Sequence, residues 1–103
     1  MSTVTITREA NKALVQPEGD VVAASVSELR SAMREVISCG VRELTMDLAC
    51  VQMIDSCGLG VVVAAHNSLV KVGGRLSVVH ASKDILALFK AMRMHQHFSV
   101  TGD

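Results

Sequence analysis

The sequence predicts an α/β domain: a largely parallel sheet of four to five strands, opened by an antiparallel hairpin strand, with about three main helices. Three observations predict it. Two short alternating segments stand together at the start, as in a hairpin. After them, apolar runs of strand length alternate with segments of helical periodicity, an order that implies right-handed crossovers and parallel pairing. The chain has 103 residues, enough for one domain, read here as residues 1–103, and too few for a second.

Taken in order, Val4 to Thr7 alternates apolar and polar residues, as does the segment around Ala13 to Val15, and Arg8 to Lys12 forms a hairpin connection between them. Pro17 and Gly19 break the pattern. Ser25-Val26-Ser27-Glu28 fits a capping box, in which hydroxyl and carboxylate satisfy each other's orphan amides. Behind it Val26, Leu29, Met33, Val36 and Ile37 fall at helical spacing, and Gly40 is a natural stop. Leu44 to Leu48 reads as a buried strand, followed by a short loop carrying Cys50 to Met53.

From Cys57 to about Val72 the chain is apolar almost all round, and Val61-Val62-Val63 alone would suggest a strand. Length, Ala64-Ala65 and the terminating Gly73-Gly74 argue instead for a helix with one face on a sheet. Leu76 to Val79 is the next strand. Ser82 caps a third helix whose buried face is Ile85, Leu88, Phe89 and Met92, and Phe98 to Val100 adds a last short strand.

Composition narrows the function. Half the residues are apolar, but only Phe89 and Phe98 are aromatic, so the core is built from Val, Leu, Ile, Ala and Met. Ten basic and ten acidic residues cancel, which leaves no electrostatic footprint for nucleic acid and no basic amphipathic face for anionic lipid. The longest glycine-interrupted apolar run, Cys57 to Ala65, is too short to insert through a bilayer. The chain near Met1 is polar, without a signal-peptide core, and a cytoplasmic protein is the expectation. Near-zero net charge leaves self-association open, and oligomeric state is not legible. Cys39, Cys50 and Cys57 form neither a CxxC pair nor a zinc framework. They read as buried or half-buried reduced thiols, with Cys57, at a helix start, the one placed for reactivity.

The most informative run is Met53-Ile54-Asp55-Ser56-Cys57-Gly58-Leu59-Gly60, where an extended segment turns into a helix. Ser56 has two readings. It caps the helix, or it is a hydroxyl that a partner protein modifies. A phosphate there would face free amides and the positive end of the helix dipole, and would stand beside Asp55. Gly58 and Gly60 fit both readings, since glycine permits close backbone approach and also clears space for a modifying enzyme. The run is not a P-loop, because no lysine follows in register. It is not a nucleophile elbow, because Ile54 stands where the first glycine should be.

Asp55-Ser56-Cys57-Gly58-Leu59-Gly60 resembles the D-S-[ST]-G-[LIV]-G signature of STAS domains, especially bacterial anti-sigma-factor antagonists. Gly19 to Ser25 is similar to that family's G-x-L-D-x-x-[ST] segment, Leu44 to Leu48 to its central strand, Lys71 to Leu76 to its Gly-Gly strand entry, and Ile85 to Met92 to its third helix. The resemblance covers nearly the whole chain. It implies a protein switch and no catalytic activity, cofactor or metal. The serine matching Ser56 would be phosphorylated by an anti-sigma factor that is a serine kinase of the histidine-kinase-like ATPase fold. The bare form would bind that kinase and free a sigma factor, and a metal-dependent serine phosphatase would reset it. Asp55 would help orient the hydroxyl, and Asp20, Asp55, Ser56, Cys57, Gly58, Leu59 and Gly60 would form the docking surface. Two positions depart from the pattern: Val22 stands where the family often has aspartate, and Cys57 replaces a second hydroxyl. The alternative is a non-switching STAS subunit of a larger signalling or lipid-transport complex, with Ser56 kept for capping.

Other residues point to bland roles. His95 and His97 lack a third metal ligand and read as a solvated pair, His66 as a surface or boundary residue, and Met53, Met92 and Met94 as packing residues.

Overall fold

The computed structural model describes residues 4–102; the two ends of the predicted 1–103 domain, including the polar start at Met1, lie outside the described residues. Strands β1 (Val4–Glu9) and β2 (Lys12–Pro17) pair antiparallel, from Val4 opposite Pro17 to Glu9 opposite Lys12. The hairpin connection is therefore only Ala10-Asn11, shorter than the predicted Arg8 to Lys12. Charged residues do not end an exposed edge strand, and Ala10 at φ 54 closes the turn.

Helix α1 (Val26–Ser38) leads to β3 (Glu43–Asp47), helix α2 (Ser56–Lys71) to β4 (Arg75–Ala81), and helix α3 (Lys83–Ala91) to β5 (Ser99–Gly102). A single 3₁₀ turn, Met94–Gln96, precedes β5. The sheet order is β1-β2-β3-β4-β5, with every pair after the hairpin parallel. A mixed sheet with three helices is the architecture the alternation of elements predicted.

Strand alternation sorts the residues into two faces. Ala13, Val15, Leu44, Met46, Leu76 and Val78 join one buried cluster with Leu29, Met33 and Val36 of α1, Val61, Val62, Ala65 and Leu69 of α2, and Ile85 and Phe89 of α3. The intervening Leu14, Gln16, Glu43, Thr45, Ser77 and Val79 are half-buried. Val61-Val62-Val63 is helical, as length and the glycine terminator argued; Gly73 (φ +77) ends α2 and Gly40 (φ +99) follows α1.

Several local expectations are corrected. Ser25 precedes α1 but makes no capping bond: its hydroxyl donates to the Asp20 carbonyl at 2.6 Å, and its amide donates to the Val22 carbonyl at 2.9 Å. The segment from Asp20 to Ser25 folds back as a turn, which takes the groups the capping box would use. The apolar stripe of α1 includes Ala32, and Ile37 is only half-buried. Met92 is 56% exposed because it lies past the last turn of α3, and Met53 is 58% exposed in the β3–α2 loop; of the three methionines only Met94 packs. All three cysteines are free and exposed, not buried. Cys39 caps the C-terminus of α1, Cys50 lies in a loop, and Cys57 faces outward in the first turn of α2.

Candidate functional site

The loop from β3 to α2 is anchored at both ends. The Leu48 amide donates to the Val79 carbonyl at 3.0 Å, and Leu48, Val51 and Ile54 are buried. Ile54 then forms an isolated parallel bridge with Val21: Val21 N–H donates to the Met53 carbonyl at 3.0 Å, and Asp55 N–H to the Val21 carbonyl at 3.3 Å. Asp20 reinforces the junction, its Oδ1 accepting from the amides of Gln52 (3.2 Å) and Met53 (3.1 Å). The segment before α1 and the segment before α2 are thus laced into one platform.

Asp55 completes it. At φ −102 and ψ −174 it is the N-cap of α2, with Oδ1 accepting from Gly58 N–H at 3.0 Å. Its Oδ2 accepts from Ala23 N–H at 2.9 Å, across to the other segment. The Gly58 amide bond, then the Ala23 one, hold the Asp55 carboxyl below its ordinary range. An anionic cap is also favoured by the positive end of the α2 dipole.

This corrects the capping reading of Ser56. An N-cap needs extended backbone with its oxygen aimed at the third helical amide; Asp55 has both, and Ser56 is already the first helical residue. The Ser56 hydroxyl is exposed and makes no hydrogen bond among the described residues. Each Asp55 carboxylate oxygen accepts from a backbone amide, and among the described residues no hydrogen bond joins either to the Ser56 hydroxyl. The signal was present in the sequence, since aspartate is as good a cap as serine.

The two glycines part company. A Cβ on Gly58 would run into the Val21 carbonyl oxygen, with Val21 Cγ1 at 2.9 Å and Ile54 Cγ2 at 3.1 Å, whereas one on Gly60 would meet nothing within 4 Å. Gly58 is buried and serves packing; Gly60 is exposed and leaves the first turns of α2 flat. Leu59 is half-buried against the core, Cys57 and Asp20 are exposed, and Val22 is half-buried. The predicted site residues therefore come together at one end of the sheet, joined by Val21 and Ala23, which sequence reasoning missed because backbone groups carry their part.

A second polar cluster was also missed. Asp47, only 9% exposed, accepts from Ala49 N–H (2.9 Å) and Gln16 Nε2 (3.1 Å), with His80 Nδ1 at 3.0 Å from its Oδ1. Burial disfavours its charge, but the Ala49 amide, then His80 and Gln16, outweigh that and hold the carboxyl low. Its three side chains come from three strands, so no spacing announces it. Among the described residues no three His, Cys, Asp or Glu side chains are grouped to hold a metal, and no helix is long and apolar enough to cross a membrane.

Fold and site together define a small α/β domain whose most elaborated surface is a helix start braced by two loops. The STAS domain profile matches residues 3–102. The chain belongs to the STAS domain family. Solved structures share the fold at low identity. A protein from Thermotoga maritima described as a candidate anti-sigma factor antagonist superposes with a TM-score of 0.89 at 15% identity, covering 97% of this chain and 86% of that one. An anti-sigma factor antagonist from Mycobacterium paratuberculosis gives 0.86 at 20% identity, covering 98% and 86%. The Bacillus cell fate determinant SpoIIAA, in its phosphorylated form, gives 0.77 at 16% identity, covering 94% and 89%.

Proposed function

We propose that this protein is a phosphorylation-switched regulator acting in the cytoplasm through protein binding and without catalysis. Unphosphorylated at Ser56, it binds an anti-sigma factor that is also its ATPase-type serine kinase, and so releases a sigma factor. A serine phosphatase returns the phosphorylated form to the binding state. The observation that carries the reading is the Ser56 hydroxyl, exposed in the first turn of α2 and making no hydrogen bond among the described residues.

The physical argument is local. Phosphorylation adds about 1.5 to 2 negative charges beside Asp55, whose carboxyl is already held in its charged form by two amides. A partner seated over the bare hydroxyl would meet repulsion and a desolvation cost. The platform need not rearrange, because Asp55 and Gly58 are committed to packing and capping. In this reading Asp20, Asp55, Ser56, Cys57, Gly58, Leu59 and Gly60 form the docking surface, Gly58 by shape and Gly60 by the room it leaves.

The test is incubation with ATP and an ATPase-type anti-sigma factor kinase from the same organism, followed by intact-mass and peptide mapping. One phosphate on Ser56, absent from Ser56→Ala, is expected, and Ser56→Asp should bind the kinase more weakly. Phosphate on another residue would overturn the site. Unchanged binding by Ser56→Asp would favour a non-switching subunit.

A further inference from the structure

The chain is neutral overall, but helix α1 sorts its charges by face. Glu28 and Glu35 line a cleft between α1 and β1, whereas Arg30 and Arg34 line a groove of 400 Å³ between α1 and α2. The two arginines lie about one helical turn apart, separated by about 6 Å along the helix axis. Both are exposed, and among the described residues neither guanidinium has an ion pair or a hydrogen bond.

The facing rim does not compete for them. Helix α2 carries no Asp or Glu anywhere along its length, and it presents the short side chains of Ala64 and Ser68 to the groove. Half-buried Ile37 and exposed Ala64 are the apolar surface within reach, above a closed floor of Met33, Val61 and Ala65. An occupant must therefore be negative along its length, apolar on one side and narrow enough to lie between two helices. A single small anion would use one arginine and leave Ile37 and Ala64 wet. A helix with carboxylates one turn apart repeats the arginine spacing, and apolar residues three and four positions away fall on the same face.

We propose that the α1–α2 groove docks an acidic amphipathic helix of a partner protein. Its carboxylates pair with Arg30 and Arg34 through charge-assisted hydrogen bonds, and its apolar edge covers Ile37 and Ala64. No residue lining this groove belongs to the surface around Ser56, so the docking does not rest on the phosphorylation switch.

The isotope-labelled full chain would be titrated by NMR with a capped peptide of four Ala-Leu-Glu-Ala repeats, whose glutamates recur one turn apart. The same peptide with glutamine for glutamate, and vesicles of phosphatidylglycerol and phosphatidylcholine, are the controls. Saturable shifts at Arg30, Arg34, Ile37 and Ala64 are expected, weakening as salt rises, with neither control binding. Arg30→Gln with Arg34→Gln should weaken binding about fivefold or more. Ala64→Trp, which obstructs the groove from an exposed position, should do the same. Lys83→Gln with Lys90→Gln removes the same charge from exposed positions of α3 and should bind like the parent. Absence of saturable shifts up to about 1 mM, equal binding of the glutamine peptide, unaltered affinity in either groove variant, or an equal loss in the lysine variant would overturn the proposal. Binding to the vesicles alone would also overturn it and make the groove a lipid-facing surface.

Discussion

Gly58→Ala and Gly60→Ala should move stability in opposite directions, although both replace a helical glycine two residues apart. In an open helical position alanine gains about 0.8–1 kcal/mol over glycine, and Gly60 has open space around it. At Gly58 the added methyl meets the Val21 carbonyl, a backbone atom that accepts from Asp55 N–H and belongs to the bridge between the two loops. Overpacking of this kind costs about 1–3 kcal/mol, and weakening the two bridge hydrogen bonds costs about 0.5–1.5 kcal/mol each. Set against the propensity gain, the net loss lies between about 1 and 5 kcal/mol, and about 2 kcal/mol is expected because the bridge bonds are weakened and not broken. For a domain of this size that lowers the melting temperature by roughly 8–16 °C, while Gly60→Ala raises it by a few degrees. Paired thermal and denaturant unfolding of the two variants measures both signs. If Gly58→Ala is as stable as the parent, or Gly60→Ala falls with it, the account of Gly58 as a close-packing residue is wrong.

Two further predictions concern the helix start. Ser56→Ala should change unfolding free energy by no more than about 0.5 kcal/mol, because Asp55 is the cap; a loss near 1 kcal/mol in chemical denaturation would mean that Ser56 caps after all. Asp55 and Asp47 both have lowered folded-state pKa values, so their contribution is complete above the unfolded carboxyl value of about 3.9 and disappears as pH falls through the folded values. Thermal midpoints should hold steady from neutrality to about pH 5 and drop in more acid solution. Asp55→Asn should flatten that acid limb, and an unchanged limb would refute the assigned role of the carboxylate.

The elements themselves were legible because they rest on local chemistry. The stretch around Val61 is the clearest example. Its valines favour a strand, but a run of that length ended by Gly73-Gly74 is stable only as a helix, and the structure has one. Ser82 was legible for the same reason: its hydroxyl accepts from Ile85 N–H at 3.2 Å, a contact within one turn. Failures came where a distant segment competes for a group. Ser25 has the right spacing for a capping box, yet its hydroxyl goes to Asp20. Met53 and Met92 are apolar without being buried, because burial depends on whether another element covers them. The site was read at the right residues with one role misplaced, since Asp55 and Ser56 both suit a cap and only backbone dihedrals separate them.

Spacing and composition by themselves determined the order of strands and helices, the aliphatic core and the position of the helix start bearing Asp55 and Ser56, because each follows from periodicity and residue chemistry over a few neighbours. Tertiary structure alone decided that Asp55 is bound to Ala23, that Gly58 is held to glycine while Gly60 is not, and that Nδ1 of His66 is buried with no hydrogen-bond partner among the described residues. Each of those outcomes turns on an atom from a remote part of the chain. Only folding brings such atoms within reach of a hydrogen bond or a van der Waals contact.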